Sequence, residues 1–253
     1  MISKELKEKI RSGEIVIGTF LKLGSPTVVE ILGASGLDFI IVDTEHAPCD
    51  QIQLENIIRA SDCVKLPIIV RVPVAEDSII VKALDLGASG IQLPGLVTVE
   101  AVSDAIKATK YAPKGRRGLS FTQRSANYGK IDKDEYMSYS NEHLINVVHI
   151  ENKFMAENIE KICELPDIDV IFIGPIDLSQ SFGHPGNPSL PEIQATILNI
   201  IKVCNEYNRT CGIFVNTPDE VKKYRELGVR YFAFGSDIGF LLKGVNSLIS
   251  SIK

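Results

Sequence analysis

Val147-Val-His-Ile-Glu-Asn152 and, one amphipathic stretch later, Val170-Ile-Phe-Ile-Gly-Pro-Ile-Asp-Leu-Ser179 decide the fold. Each opens as an apolar run dense enough to be a strand buried on both faces, which is the habit of parallel sheets covered by helices. Each then meets a carboxylate, Glu151 in the first and Asp177 in the second. An ionised carboxylate at the end of a buried strand needs a partner, because leaving it unpaired in low dielectric is costly. Two of them on consecutive strand ends suggest a divalent cation between them.

Outward from this pair, apolar runs and amphipathic stretches keep alternating. Toward the N-terminus the spacing predicts an opening helix, a strand over 15–20, a helix over 26–35 with Ser25 as N-cap and Pro26 in its first turn, and a strand over 38–43. A helix over 51–63, a strand over 67–72, a helix over 77–86 ended by Gly87, a strand over 88–93 and a helix over 98–109 follow. From 111 to 141 the periodicity fades while glycine, aromatic and charged residues accumulate, and a connection this long inside a compact domain is as a rule functional or mobile. The alternation resumes with a strand over 145–151, a helix over 153–164 and a strand over 169–174. A Gly/Pro-rich loop to 188, a helix over 190–207, a strand over 210–215, a helix over 218–227, a strand over 229–235 and a last helix over 237–250 complete it. Eight consecutive strand-helix units predict a closed (β/α)8 TIM barrel, with an N-terminal helix and a long insertion between the fourth helix and the fifth strand. No linker divides residues 1–253, so one domain is expected. An open doubly wound sheet is the alternative, but no Gly-x-Gly-x-x-Gly follows the first strand.

Composition narrows the function classes. The 253 residues suffice for a full core without disulfides. A net charge of −5 gives none of the basic footprint that nucleic-acid binders show, so an anionic small substrate needs locally placed cations. The five cysteines are odd in number and never form a Cys-x-x-Cys pair, which points to reduced thiols. Cys49, the one near the candidate site, reads as a packing residue. The charged N-terminus is not a signal peptide, and no apolar run reaches the ~20 residues of a membrane span. A cytoplasmic location without membrane partners is the expectation.

In a barrel of this kind the site forms at the C-terminal ends of the strands. The second strand delivers Asp43-Thr-Glu-His46, the third Arg71, the fourth Gln92 with the Pro94-Gly95 turn, the fifth His149 and Glu151, and the sixth Gly174-Pro-Ile-Asp177. Residues two apart share a side of a strand, so His149 goes with Glu151 and Ile69 with Arg71. An inward Arg71 needs an anion, either a substrate oxyanion or a rim partner such as Asp43 or Glu45. Helix-terminal positions would account for Glu151 and Asp177 singly but leave their clustering with Arg71 and His46 unexplained, whereas an all-oxygen site would suit Mg2+, Mn2+ or a similar divalent ion such as Co2+. Asp43 lies close enough in sequence to orient the His46 imidazole as a general base. No strand-end lysine is evident for a Schiff base. His143 and His184 are expected at solvent-facing loop positions, and Gly115-Arg-Arg-Gly118 as a tight turn with surface arginines.

Taken together, Gly18-Thr-Phe20, Asp43-Thr-Glu-His-Ala-Pro48, Ile69-Val-Arg-Val-Pro73, Tyr111-Ala-Pro-Lys-Gly-Arg-Arg-Gly118 with Arg124-Ser-Ala126, His149-Ile-Glu151, Phe172-Ile-Gly-Pro-Ile-Asp-Leu-Ser179 and Gly186-Asn-Pro188 resemble the HpcH/HpaI class II aldolases over nearly the whole chain. The resemblance implies a metal-dependent lyase that reversibly cleaves a 4-hydroxy-2-oxo acid to pyruvate and an aldehyde through a pyruvate enolate held at a divalent metal. By position it implies Glu151 and Asp177 as metal ligands, Arg71 at the 2-oxo oxygen, and His46 with Asp43 in proton transfer. His149 and the backbone of Gly174, Pro175, Ile176 and Asp177 would bind the substrate. It also implies a homo-oligomer, a hexamer arranged as a trimer of dimers, with the last helix exchanged or packed between subunits. The family commonly has Gln where this chain has His149. Histidine titrates near neutrality and can itself ligate metal, so substrate specificity, and with it the reaction, is open at this position. The alternatives are a condensing enzyme of the same fold, such as a siderophore-pathway citrate synthase, and a non-catalytic 2-oxo-acid-binding barrel.

Overall fold

The structure, a computed structural model, describes residues 3–253. The chain runs α1 (Ser3–Ser12), β1 (Val16–Leu21), α2 (Pro26–Gly33), β2 (Phe39–Asp43), α3 (Gln51–Val64), β3 (Ile68–Arg71), α4 (Asp77–Leu86), β4 (Gly90–Leu93) and α5 (Val99–Thr109). It continues with α6 (Lys133–His143), β5 (Ile145–Ile150), α7 (Lys153–Glu157), α8 (Ile159–Glu164), β6 (Val170–Ile173) and α9 (Pro175–Ser181). The last elements are α10 (Pro191–Glu206), β7 (Cys211–Val215), α11 (Pro218–Glu226), β8 (Tyr231–Ser236) and α12 (Asp237–Ile252). The eight strands pair in parallel, in chain order, and β1 closes on β8. All eight strand-helix units of the sequence therefore take their expected places around one barrel.

Strand parity sorts the core into two layers. Val16, Phe20, Phe39, Ile41, Ile69, Ile145, Val147, Val170, Phe172, Tyr231 and Ala233 belong to a cluster inside the barrel. Residues of opposite parity, such as Ile40, Val42, Val70, Val148 and Ile171, pack outward with the helices. Continuing the inward parity to each strand's end brings Asp43, Arg71, Gln92, His149, Glu151 and Gly174 to one mouth. The interior is filled by aromatic rings, with Phe39 stacked on Tyr231 at 4.3 Å between centroids and Phe172 edge-on to Tyr231 at 6.0 Å. Gly18 makes room for this layer, since a Cβ there would lie 2.3 Å from the Phe39 ring. Gly18→Ala is accordingly expected to destabilise the barrel by about 1–3 kcal/mol through overpacking, read as a lowered midpoint in denaturant titration.

Three local expectations are corrected. The 110–144 connection is more ordered than its weak periodicity predicts, since it holds a 3-10 turn at Arg124–Gly129 and the helix α6. Asp132 caps α6 by accepting from the N–H groups of Asp134 and Glu135, while Tyr136 is the one residue the helix buries, so it carries almost no hydrophobic stripe to read. The stretch after β5 is two short helices, broken at Asn158, where φ −107° and ψ 22° leave the helical region. The loop after β6 begins with a helix, α9, started by Pro175 and carrying Asp177 in its first turn.

Arg117 is also not a surface arginine. Its side chain is 1% exposed, pairs with Asp85 at 2.7 Å and lies over the Tyr111 ring, so it fastens the connection to the barrel, whereas Arg116 stays at the surface with Asp77 and Asp104. His184 is exposed beside Glu192, but His143 is half-buried against the Tyr139 ring. All five thiols are unpaired. Burial pushes the Cys49 thiol up to about 11, which fits a packing role over a reactive one. Among the described residues no helix is long and apolar enough to cross a membrane.

Candidate active site

The mouth of the barrel encloses a cavity of about 340 Å3 that takes lining from β1, the β2 loop, β3, β5, β6 with α9, β7 and β8. His46, Arg71, His149, Gly174, Pro175, Ile176 and Asp177 all line it, whereas Asp43, Gln92 and Glu151 are not part of that lining and reach it through their contacts with Arg71 and His149. A larger cavity of about 560 Å3 lies beside the starts of β4 and β5 at the opposite end. Its arginines Arg59, Arg117 and Arg124 are already paired with Glu55, Asp85 and Asp62, and the chemistry-bearing strand ends lie elsewhere.

Asp43 and Arg71 form the buried anchor of the site. The Arg71 Nε donates to Asp43 Oδ1 at 3.1 Å and a terminal nitrogen to Oδ2 at 2.7 Å, a two-point contact made possible by the register that pairs the two residues on β2 and β3. The other terminal nitrogen of Arg71 lies 3.2 Å from Glu45. Burial pushes the Asp43 carboxyl up, but the Arg71 hydrogen bonds and charge, the His46 N–H and Lys22 outweigh it and hold the group below its ordinary value. At Glu45, burial wins over Arg71 and His46 and raises the carboxyl.

The expected Asp43–imidazole contact is absent. Asp43 Oδ1 instead accepts from the backbone N–H groups of Glu45 and His46, each at 3.1 Å, so it fixes the loop that carries His46 rather than the ring. The His46 ring, 58% exposed, has Glu45 as its nearest carboxylate at 3.7 Å, beyond hydrogen-bond reach, and so remains able to turn toward a ligand.

A lysine also stands at the mouth, contrary to the expectation that none would. Lys22 follows β1 with the inward parity of Phe20, lines the cavity, and lies 3.2 Å from Asp43 Oδ2. Its backbone is pinned by Asp237, whose carboxylate accepts from the N–H groups of Lys22 and Leu23 at 3.0 and 2.9 Å. Counting by twos from Phe20 past the strand end would have found it.

On the other side of the mouth, His149 bridges two polar groups. Its Nδ1 lies 2.7 Å from Glu151 Oε2 and its Nε2 lies 2.6 Å from the Gln92 amide nitrogen. The arrangement is satisfied by a proton on Nδ1 donated to the carboxylate and an Nε2 that accepts from Gln92. Neither ring nitrogen is left over to ligate a metal. Burial pushes Glu151 up, but the hydrogen bond from His149, the Gly95 N–H and Arg71 together leave it below its ordinary value, hence an anion.

Glu151 and Asp177 flank Gly174. A Cβ placed on Gly174 would come 3.3 Å from Glu151 Cβ, 3.6 Å from Glu151 Oε2 and 3.8 Å from Asp177 Oδ2, so the missing side chain leaves a space with a carboxylate oxygen on two sides. Two hard oxygen donors fit an ion that takes its remaining ligands from water and substrate, as Mg2+ does. Among the described residues no cluster of three or more His, Cys, Asp or Glu offers a fuller protein cage.

Comparison with known proteins agrees with this geometry. The sequence profile of the HpcH/HpaI aldolase/citrate lyase family matches residues 16–243. A 5-keto-4-deoxy-D-glucarate aldolase from Salmonella arizonae is 32% identical over 249 residues, covering 98% of this chain and 96% of the relative. A solved HpcH/HpaI aldolase/citrate lyase family protein from Burkholderia cenocepacia J2315 superposes with a TM-score of 0.93 at 28% identity, over 98% of this chain and 99% of that one. The citrate synthase SbnG superposes with a TM-score of 0.88 at 29% identity, over 97% and 96% of the two chains. Matched along nearly its whole length in sequence and in fold, the chain belongs to the HpcH/HpaI aldolase/citrate lyase family and is an enzyme of its aldolase class.

Proposed function

We propose that the protein is a divalent-metal-dependent aldolase that reversibly cleaves a 4-hydroxy-2-oxo acid to pyruvate and an aldehyde. The observation that carries this is the pair of carboxylates around Gly174, Glu151 and Asp177, at the same barrel mouth as Arg71 and Lys22. Glu151 and Asp177 would hold the ion, Mg2+, Mn2+ or Co2+, which supplies a Lewis acid for the oxygens of the 2-oxo acid.

The other side chains do the positioning and proton handling. The first turn of α9 leaves backbone N–H groups at Ile176 and Asp177 without intrahelical partners, suited to the substrate carboxylate beside Gly174 and Pro175. His149, braced by Gln92, holds Glu151 in place and forms part of the cavity wall. In cleavage the C4 hydroxyl proton passes to His46 or to a water it holds, and the electron pair left on that oxygen forms the aldehyde carbonyl as C3–C4 breaks. The released pair forms the C2–C3 double bond and places negative charge on the 2-oxo oxygen, which Arg71 stabilises. Protonation at C3 then gives pyruvate. Asp43 serves by fixing Arg71 and the His46 loop. Exchange of pyruvate methyl protons in deuterated buffer, measured with and without chelator, tests the reading; exchange that is absent, or indifferent to chelator, overturns it.

Carbon-carbon condensation is the second reading, supported by the likeness to SbnG, and it would consume an acyl thioester where the first produces an aldehyde. The same proposal places the enzyme in the cytoplasm as a single barrel domain, in keeping with its five free thiols.

Assembly into a homo-oligomer, with a hexamer of three dimers as the expected form, belongs to the proposal. Of the 16 residues of α12 only Asp237 is buried, while Leu241, Leu248 and Ile252 are 61%, 65% and 79% exposed, an apolar surface a second copy of the chain would cover. Leu241→Glu with Leu248→Glu is expected to shift the mass measured by light scattering to that of a smaller species.

A further inference from the structure

We propose that Lys22 selects the substrate, by holding an anionic group at the end remote from the 2-oxo acid. The inference rests on the assignment of Glu151 and Asp177 to the 2-oxo-acid end. In the closed strand order β1 lies opposite β5, and the Lys22 ammonium leans toward β2, sharing Asp43 Oδ2 with Arg71 at 3.2 and 2.7 Å. A substrate whose 2-oxo acid sits at β5 and β6, with its 2-oxo oxygen at Arg71, therefore runs on toward Lys22. The apolar part of the cavity wall is Phe20, Phe172, Phe214 and Ile176, surfaces that suit a carbon chain, with the Arg71 guanidinium 4.7 Å from the Phe20 ring centroid.

Lys22 is the cation available for this task. Arg71, which Asp43 and Glu45 hold in place and whose side chain is 9% exposed, is already assigned to the 2-oxo oxygen. The Lys22 side chain is 30% exposed and makes one ion pair, at 3.2 Å, with an Asp43 already held at two points by Arg71. An ammonium has three donors on a flexible stem, so one contact with Asp43 leaves donors for a ligand. The hydrogen bonds from the Lys22 and Leu23 backbones to Asp237 keep the base of that stem in place. The group recognised is a carboxylate or another compact anion on the aldehyde half.

Calorimetric titration of the full chain in Mg2+ with 2-oxoadipate and with 2-oxohexanoate tests this without turnover. The two have equal chain length and differ only in the terminal carboxylate, and neither has a 4-hydroxyl to cleave. The wild type is expected to bind 2-oxoadipate about tenfold more tightly, as one charge-assisted contact would give. Lys22→Met should bring the two affinities within about twofold, Lys22→Arg should keep the preference, and Lys22→Gln, which retains a donor for Asp43, should lose it. A wild type without preference, a preference that survives in Lys22→Gln, or equal weakening of both acids in the variants overturns the proposal. Failure of pyruvate proton exchange in the wild type would overturn the aldolase assignment instead, and the affinity ratio would still decide Lys22.

Discussion

Glu151→Gln is expected to lower the rate of pyruvate methyl-proton exchange about a thousandfold, and Asp177→Asn to do the same, with neither recovered by raising Mg2+. The size follows from what each change removes. Glu151 is fixed at the mouth by the His149 Nδ1 at 2.7 Å and by the Gly95 N–H. Glutamine keeps the shape and can keep one of these hydrogen bonds, so the fold should survive while the charge facing Gly174 is lost. Asp177, in the first turn of α9, supplies the second oxygen on that space. Melting curves within a few degrees of wild type alongside lost exchange support the assignment. Exchange retained within about tenfold in both variants would remove both carboxylates from the chemistry.

Arg71→Met combines the second large effect on catalysis with one on stability. Exchange should fall about a hundredfold to a thousandfold, the cost of removing a fixed positive charge from a developing oxyanion. Stability should fall by about 3–5 kcal/mol, because the change leaves Asp43 buried with its main partner gone. The pH dependence separates the two roles. In the wild type the folded-state pKa of Asp43 is lowered, so its contribution to stability is present above the ordinary carboxylate range and is lost as pH falls through the folded value. Without Arg71, burial becomes the dominant influence and raises that pKa, so stability should increase as the pH is lowered. Adding Asp43→Asn to Arg71→Met should recover part of the stability and none of the exchange. Recovery of exchange in the double variant would show that Arg71 acts only as a tie between strands.

The site was legible in sequence wherever a residue sits at the end of a strand of clear parity. Ile69 predicts the side taken by Arg71, and Val147 that taken by His149 and Glu151, because a strand has one period and the barrel interior is apolar until its rim. Lys22 was overlooked although Phe20 carries the same information, since it lies one residue past β1, where charge reads as the start of a loop. Of the contacts of Asp43, the one with Arg71 was among the alternatives the strand ends left open, and the one with Lys22 was not. Sequence proximity favours His46, three residues on, whereas the structure gives the carboxylate to Arg71 and Lys22, which lie 28 residues after it and 21 residues before it. Parallel register brings those partners together, and no local pattern records it.

The sequence by itself determined the eight strand-helix units, the inward parity and the supply of carboxylates, arginine and histidines at one end of the strands, because hydrophobic period and chain order are local properties that a barrel only closes upon itself. The closed barrel then settled which of the pairings left open by the strand ends are made. The β2–β3 register set Asp43 beside Arg71, the lack of a side chain at Gly174 opened the space between Glu151 and Asp177, and Gln92 and Glu151 together took both nitrogens of His149. Those pairings depend on distances across the barrel mouth, which are fixed only when the sheet has closed.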